Sequence, residues 1–376
     1  MSEFQYYEFQ AIDRPLTAAD KTHIQSLLSR VRPTKHRAIF TYSYGDFRSN
    51  PIDLLDRCFD IMLYVANFGV RQLMIRFPKD LLDSKQFAPY LVDDLLTTQT
   101  TKKSVILKIN LVCEAYYDWI TEENDWLDGL VELRQDILNG DWRSLYLAWL
   151  QTAFSEEAYS LDEQTEPPIP PNLEKKYSSA LKNFVEFFKI DADLIAAAAT
   201  ESLAVDTKQQ PEPLADWIAA LPEAERNTYL LRVVQGEAQV GLELLQHLRQ
   251  LHGVMQYPQG FTQGIRTLAQ LLKLGQQRAK ARKDAEKVAA KRKRDRYLSE
   301  EIAPNTKTLW QQITQLVARK NVKAYDEAVI HLTDLQALAQ REQTVMEFNV
   351  RVTELRDRYP TLRGFHDRLK RAKLLE

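Results

Sequence analysis

The stretch from Arg278 to Arg296 places the strongest constraint on what this chain can fold into. It holds ten Lys or Arg residues and three acidic residues, and Val288 is its only apolar residue larger than Ala. Its composition favours helix, and no Gly or Pro interrupts the chain between Gly275 and Pro304. A helix without an apolar stripe has no face to bury in a core. The sequence therefore predicts a long, exposed basic helix near residues 266–300.

This basic helix has two interpretations. It can be a solvated spacer, stabilised by Asp284 and Glu286 pairing along it. It can also bind nucleic acid, because a cation-dense helix releases counterions from phosphates whatever the base sequence. A membrane-surface role is disfavoured, since no Trp, Phe and Leu face stands opposite the cations. The residues that would contact nucleic acid or another partner are Arg278, Lys280, Arg282, Lys283, Lys287, Lys291, Arg292, Lys293, Arg294 and Arg296.

Charge is distributed very unevenly along the 376 residues, although the formal net charge is only −2. Residues 1–155 carry a net charge of −4, residues 156–265 carry −9, and residues 266–376 carry +11. Such segments attract each other as readily as they attract a partner of opposite charge. The length predicts two or three domains, and the hydrophobic content of 44 % is enough for real cores.

The first 154 residues alternate strand and helix patterns, which predicts an α+β domain with two helices on one sheet. Strands are expected at Phe4–Ile12, Ala38–Tyr44, Gln72–Phe77 and Ser104–Cys113. Helices are expected from Thr17 to Val31 and from Ile52 to Phe68, with a short one near Leu91 to Leu96.

The rest of the chain reads as mainly α-helical. Residues 155–172 form an acidic, Pro-rich linker, because the run from Pro167 to Pro171 cannot form helix or a central strand. Residues 173–260 have helical apolar spacing and predict a helical domain. The long basic helix follows over residues 261–303, and residues 304–376 predict a small helical bundle.

A second candidate contact site is the loop from Tyr42 to Arg48, between a predicted strand and a predicted helix. Its aromatic residues and its arginine are of the kinds that stack on a base or anchor a partner peptide. The alternative is that the aromatic rings pack under the edge of the sheet. The candidate partner-binding residues are Tyr42, Tyr44, Phe47 and Arg48.

Motifs for catalysis, cofactors or metals are absent from the sequence. No two of the six histidines have the i,i+4 spacing that shares a metal ion. The predicted strand-to-helix loops lack the several glycines of a nucleotide-binding turn. Cys58 and Cys113 both lie in apolar runs, where a thiol acts as a small hydrophobe. No apolar run is long enough for a membrane span and the N-terminus lacks a signal pattern, so we expect a cytoplasmic protein without cofactor, metal or membrane.

Several motifs resemble an uncharacterised family of bacterial proteins. They include YYEFQAIDRPLT at residues 6–17, GDF at 45–47, LYVANFG at 63–69, PPIPP at 167–171 and WIAALP at 217–222. The tail from Lys323 (KAYDEAV) to Leu374 is also similar to the C-terminal helices of some bacterial SWIM zinc-finger proteins. That similarity implies a shared helical accessory module and nucleic-acid or multiprotein assemblies. The Cys/His zinc motif of those proteins is missing here, so no zinc site is implied.

Two hypotheses for function follow from the sequence. The favoured one is a non-enzymatic scaffold or adaptor that makes protein–protein contacts in a cytoplasmic bacterial assembly. It follows from the absence of catalytic groupings and from the uneven charge of the predicted modules. Its alternative is a nucleic-acid-binding accessory protein that uses the helix from Arg278 to Arg296, and an enzyme of unknown type comes third.

Overall fold

The computed structural model describes most of the chain and divides it into two compact units. The described residues are 4–43, 45–113, 116, 126–155, 164–175, 177–205, 212–237, 239–253 and 260–374. The first unit comprises Met1–Ala279 and the second comprises Lys280–Glu376. The longest helix begins in the first unit and ends in the second.

An antiparallel sheet of six strands forms the centre of the first unit. The strands are β1 (Gln5–Gln10), β2 (Arg37–Tyr42), β3 (Ile61–Ala66), β4 (Val70–Pro78), β5 (Leu96–Thr100) and β6 (Ser104–Val112). Their spatial order is β2-β1-β3-β4-β6-β5, so β2 and β5 are the two edges. Successive side chains point to opposite faces of a strand. Each face of this sheet therefore has its own hydrophobic core.

Two helices cover one face, as the sequence predicts. Helix α1 (Ala18–Leu27) begins with a capping box between Thr17 and Asp20, and it buries Ile24. Helix α2 (Pro51–Cys58) begins at the cap Asn50, whose side chain accepts the N–H of Ile52 at 2.9 Å. Both helices pack on the aromatic and methionine side chains of this face. An α+β N-terminal region followed by helices is thus confirmed.

The other face is covered by helices that come later in the chain. They are α3 (Leu133–Leu138), α4 (Arg143–Gln151), α5 (Ser179–Phe187) and α6 (Ala192–Ala198), with short 3-10 turns at Thr152–Phe154 and Ala199–Glu201. Helix α4 is buried on every side, so its tryptophan, Trp149, is a core residue. The remaining helices of this unit are α7 (Leu214–Ala220), α8 (Glu223–Val234), α9 (Val240–Leu251) and the start of α10 (Leu268–Tyr297).

The second unit is a small helical body with its own core. A short π-helical segment, Leu298–Ile302, continues α10, and four helices follow: α11 (Thr306–Ala318), α12 (Val322–Glu342), α13 (Val345–Arg358) and α14 (Arg363–Arg371). Helix α12 is central and packs against the other three. Fully buried side chains such as Ile313, Leu332 and Phe365 fill the space between these helices. The predicted bundle over residues 304–376 corresponds to α11–α14.

The prediction of one helix from Ile52 to Phe68 is wrong. Helix α2 ends at Cys58, and residues Ile61–Ala66 form the strand β3 between β1 and β4. Both faces of β3 are buried, so its side chains make a continuous apolar run without alternation. Such a run cannot be told from a buried helix by periodicity alone.

The short helix expected near Leu91 to Leu96 is also wrong. A 3-10 helix lies earlier, at Ser84–Tyr90, and the chain then turns into β5 at Leu96–Thr100. Three of the five residues of β5 are threonines, whose branched side chains suit a strand. Pairing with β6 decides the conformation of this segment.

The Pro-rich segment is packed inside the first unit, where the sequence predicts a linker between domains. Its described part begins at Gln164, since residues 156–163 lie outside the described residues. Ile169 is 1 % exposed, and its N–H donates to the carbonyl of Thr262 at 2.8 Å. Proline needs no partner for an N–H, so this extended run can lie against the core. The two compact units divide after Ala279 and not within residues 155–172.

A buried network of carboxylates and guanidinium groups joins the ends of several sheet elements. Arg134 of α3 holds the carboxylate of Asp13 with two hydrogen bonds of 2.8 Å, and its Nε donates to the carbonyl of Arg76 at 2.7 Å. Arg76 of β4 in turn pairs with Asp60, at the start of β3. The side chain of Gln239, beside α9, also donates to Asp13.

Asp60 is a charged member of this network that is only 2 % exposed, so neighbouring groups must stabilise its charge. Its Oδ2 accepts the N–H groups of Ile12 and Asp13 at 2.6 and 2.9 Å. Burial alone would raise its pKa, but the charges of Arg76 and Arg134, with these two N–H groups, outweigh burial and lower the pKa. The folded state therefore stabilises the ionised carboxylate.

We expect Asp60→Asn to reduce the free energy of unfolding by about 3 kcal/mol at pH 7, because it leaves the buried guanidinium group of Arg134 and the half-buried one of Arg76 short of a counter-charge. The difference from the native protein should shrink as the pH falls below about 4, where the native carboxylate begins to lose its advantage. Urea unfolding at several pH values measures both. The control is Asp80→Asn, an exposed carboxylate that forms no ion pair with any described residue, so the change should be small. Equal losses in the two variants would contradict a special role for Asp60.

Candidate functional site

The basic helix α10 begins on a firmly packed base. The Thr267 hydroxyl accepts the N–H of Gln270 at 3.3 Å, and the Gln270 side chain accepts the N–H of Thr267 at 2.9 Å. Leu268 and Leu271 are fully buried. A Cβ atom added at Gly275 would stand 3.1 Å from the Cα of Leu194, so the missing side chain allows close packing. The first two turns of α10 are thus part of the core.

A buried ion pair fixes the residue just before this base. Both carboxylate oxygens of Glu166 accept hydrogen bonds from Arg266, at 2.6 and 2.8 Å, and the Glu166 side chain is fully buried. Arg266 also donates to the carbonyl of Ala198 at 2.9 Å. Tyr146 donates its hydroxyl to Glu166, and burial together with the Glu166 charge raises the pKa of Tyr146. The phenol therefore remains a donor and completes the set of partners around the carboxylate.

The middle of α10 makes no such contacts. Every residue from Lys280 to Arg294 is exposed, and Val288 is the one apolar side chain among them larger than Ala. With 100° of rotation per residue, spacings of three and four place side chains on the same side of a helix. One side therefore carries a row of four lysines about 16 Å long. We call it the lysine row, and its members are Lys280, Lys283, Lys287 and Lys291.

The ten predicted contact residues differ in whether their charges already form ion pairs within the protein. Arg282 pairs with Glu286 at 2.9 Å, and Arg296 approaches Glu300 at 3.9 Å. Lys287 stands 3.7 Å from Asp284. Of the remaining seven, Arg294 alone forms an ion pair with a described carboxylate. Six cations are therefore without an ion-pair partner among the described residues: Arg278, Lys280, Lys283, Lys291, Arg292 and Lys293.

At its end, α10 is held again by packing and hydrogen bonds within the second unit. Arg294 donates to Asp334 of α12 at 2.6 Å, and the Tyr297 hydroxyl donates to the same carboxylate at 3.1 Å. Leu298 and Ile302 are buried in the core of this unit. Arg294 therefore positions the helix end, although the sequence suggests only a contact residue. The sequence does not identify Asp334 as the partner of this helix end. The one sequence feature that could have pointed to it is an acidic residue among the apolar positions of α12.

The aromatic loop divides into buried and exposed parts. Tyr42 is 6 % exposed, and Phe47 is half-buried against the rings of Tyr7 and Phe40, with centroids 5.0 Å away in both cases. These two rings thus pack at the edge of the sheet, as the alternative interpretation has it. Arg48 is exposed, and Tyr44 lies outside the described residues. Arg48 and the neighbouring Asp46 are the described residues of this loop that carry an accessible charge.

Other reactive groups of the described chain are buried or scattered. Cys58 and Cys113 are free buried thiols, and burial raises the pKa of Cys58 to about 12. In the described ranges, no three His, Cys, Asp or Glu side chains are grouped so that they could hold a metal ion. Nor does any described helix combine the length and apolar content needed to cross a bilayer.

We expect Arg294→Gln to lower the free energy of unfolding of the second unit by about 1–2 kcal/mol, because it leaves the buried carboxylate of Asp334 without its charged donor. Arg292→Gln is the matched control. It removes the same charge from an exposed side chain that lies two residues before Arg294. That variant should stay within about 0.5 kcal/mol of the native protein. Thermal unfolding of both variants measures the difference. If both unfold alike, the hydrogen bond to Asp334 contributes nothing to stability.

Comparison with known proteins found no relative. No protein-family model, curated protein or solved structure matches this chain. Its function is therefore inferred from the charge, exposure and contacts of its own side chains.

Proposed function

We propose that this chain is a non-enzymatic accessory protein that binds the phosphate backbone of nucleic acid through the exposed middle of α10. One observation carries the proposal: every residue from Lys280 to Arg294 is exposed, and this stretch is strongly cationic. Both ends of the helix are packed, so the cations are displayed on a rigid support. A rigid support lowers the entropy cost of engaging several phosphates at once.

The charge of the whole second unit supports the same partner. Lys280–Glu376 has 22 basic and 14 acidic residues, whereas Met1–Ala279 has 28 basic and 38 acidic residues. A locally positive surface raises the rate at which a polyanion associates, even when the protein as a whole is slightly acidic. Neutralising phosphates also releases condensed counterions, which is favourable at moderate salt.

The side chains of this stretch favour backbone contacts over recognition of bases. Asn and Gln, which read adenine, are absent between Arg278 and Arg296. Aromatic residues, on which single-stranded bases stack, are absent there as well. Lys and Arg bind phosphates wherever these occur. We therefore infer binding with little dependence on base sequence.

Other uses of this helix fit its surface less well. Protein interfaces generally have an apolar or aromatic core from which water is excluded. Between Lys280 and Arg294, the exposed apolar surface is limited to alanines and Val288. A helix that lies on a membrane likewise needs a large apolar face. Charge is the one strong interaction that this stretch offers.

A scaffold that binds other proteins is the second candidate, and a different surface supports it. Helix α8 has no buried residue, and four of its large apolar side chains are more than half exposed. A cluster of this kind is typical of protein–protein contact sites. Its members, the α8 patch, are Leu230, Leu231, Val233 and Val234.

The proposal predicts a specific change when the lysine row is neutralised. Replacing Lys280, Lys283, Lys287 and Lys291 by Gln keeps helix propensity, so the fold should survive. Affinity for a random-sequence DNA duplex should fall, and the slope of log K against log salt should become shallower by up to about 3.6, since each of the four phosphate contacts contributes about 0.9. Fluorescence anisotropy over a salt series measures both quantities.

The matched control removes four charges elsewhere in the second unit. It replaces exposed side chains that have no ion-pair partner among the described residues: Lys307, Arg319, Lys323 and Lys370 by Gln. The total charge of the two variants is the same, so only a local role of α10 separates them. A native protein that does not bind, or equal losses in both variants, would remove the basis for the proposal.

The second candidate predicts a protein partner that binds the α8 patch. Such a partner should stay bound to the full chain after nuclease treatment and should be lost in the variant Leu231→Lys/Val234→Lys, because charges on an apolar contact surface remain unpaired. Co-purification with and without nuclease, followed by mass spectrometry, checks this. A partner that nuclease removes is bridged by nucleic acid and counts for the first candidate.

A further inference from the structure

The cations in the exposed middle of α10 are not spread evenly around the helix. An α-helix turns by about 100° per residue, so the direction of each side chain around the axis follows from its position in the sequence. From Lys280 to Arg296 the helix carries nine cations. They fall into two groups on opposite sides, and the centres of these groups are about 170° of rotation apart.

One group contains the lysine row and Arg294, which Asp334 already holds. We call the other group the opposite row, and its members are Arg282, Arg292, Lys293 and Arg296. All four are exposed. Within the described chain, the ion pairs of this row are those of Arg282 with Glu286 and of Arg296 with Glu300, and both are on the helix surface. Exposed pairs of this kind are weak, so both guanidinium groups are available to a phosphate.

The residues between the two groups are of other kinds. Each group covers an arc of about 80° to 100°, which leaves two arcs without a cation. One of these arcs carries Asp284, Val288 and Asp295, and the other carries Glu286 and Ala290. Every acid of the stretch therefore lies outside both groups. The helix presents two uninterrupted cationic surfaces that face in opposite directions.

Both surfaces are accessible at the same time. Every residue from Lys280 to Arg294 is exposed, whichever way its side chain points, so no described element covers a side of this stretch. A polyanion that lies along one side of the helix engages one row and leaves the other in solvent. The two rows act together when phosphates stand on both sides of the helix.

We propose that the ligand is duplex DNA and that this stretch of α10 lies in its major groove. The lysine row then contacts the phosphates of one strand, and the opposite row contacts those of the other. This inference rests on the proposed function, because it specifies which nucleic acid the helix binds. The major groove of B-form DNA is about 12 Å wide, and a helix with its side chains is about 10–12 Å in diameter. A helix in that groove therefore has a phosphate backbone on each side.

The two arcs without cations differ in which one fits the floor of the groove. On one of them, Ala290 is short and Glu286 is already bound by Arg282 at 2.9 Å. The other arc carries two acids, Asp284 and Asp295, which are better placed in solvent than beside DNA. The arc with Ala290 therefore faces the base edges. It offers none of the bidentate Asn, Gln or Arg contacts that read bases, in agreement with weak dependence on base sequence.

Other nucleic acids match a pair of opposed rows less well. The major groove of an A-form RNA duplex is deep and narrow, so a helix does not enter it. A single strand has one backbone, and the aromatic residues on which its bases would stack are absent from this stretch. Each of these ligands engages one row at a time. We therefore expect a preference for duplex DNA over both.

The first test uses the native full chain and three probes of equal length. They are a DNA duplex, an RNA duplex, and a DNA duplex whose cytosines carry a glucosyl group that projects into the major groove. On the second and third probes, the slope of log K against log salt should be about half as steep as on plain DNA, because one row loses its phosphate contacts. Fluorescence anisotropy over a salt series measures the slopes. Equal affinities and slopes on all three probes would overturn the groove placement and leave the proposed function standing.

The second test neutralises each row separately. The opposite-row variant replaces Arg282, Arg292, Lys293 and Arg296 by Gln, so it loses the same number of charges as the lysine-row variant but from the other side of the helix. On the DNA duplex, each variant should have a slope shallower by up to about 3.6, and the variant that combines both sets should lose about twice as much. Circular dichroism checks that the helix content is unchanged.

The outcomes separate this inference from the proposed function. A change of slope in the lysine-row variant alone would show that the helix lies against a single strand, which overturns the groove placement but keeps nucleic-acid binding. A native chain that binds no duplex would overturn both.

Discussion

The pair of buried carboxylates Asp13 and Asp60 is the constraint that the first unit is built around. Two negative charges in a core repel each other and lose hydration, so each requires a nearby cation. Arg76 comes from β4 and Arg134 from α3, which means that the charges are satisfied only when strands and a later helix are in place. The cores on the two faces of the sheet could be filled by many apolar side chains. The ion network admits one arrangement of the elements that carry it, and in this way it contributes specificity to the fold.

Buried acids also bind partners at the two ends of α10, but here they leave the cations in the middle of the helix exposed. Glu166 and Arg266 hold its base, and Asp334 holds Arg294 and Tyr297 near its end. Each of these acids is buried and accepts hydrogen bonds from its partner. Among the described residues of the second unit, no buried acid binds the cations in the middle of the helix, so their charge is exposed to the solvent. The ends of this helix fix its position, and its middle exposes the charge on which the proposed binding rests.

Sequence patterns reveal the parts of this structure that depend on local properties. The basic helix, the helices of the second unit and four of the six strands follow from composition and from apolar spacing. Strand β3 does not, because Ile61–Ala66 is buried on both faces and has no alternation to detect. The position of Pro167–Pro171 does not either, because its packing depends on Ile169 meeting Thr262, which lies far along the chain. Partners such as Asp334 for Arg294 are likewise brought together only by the tertiary fold.

The two edge strands of the sheet, β2 and β5, differ through the same distinction between local and long-range effects. Arg30 and Thr34 block β2 from a loop that immediately precedes it, so that edge is closed by the local sequence. On β5, the preceding turn reaches only Leu96, and the strand runs on to Thr98 and Thr100, whose backbone N–H and C=O groups point away from β6. Closing those positions requires backbone groups from outside the local chain.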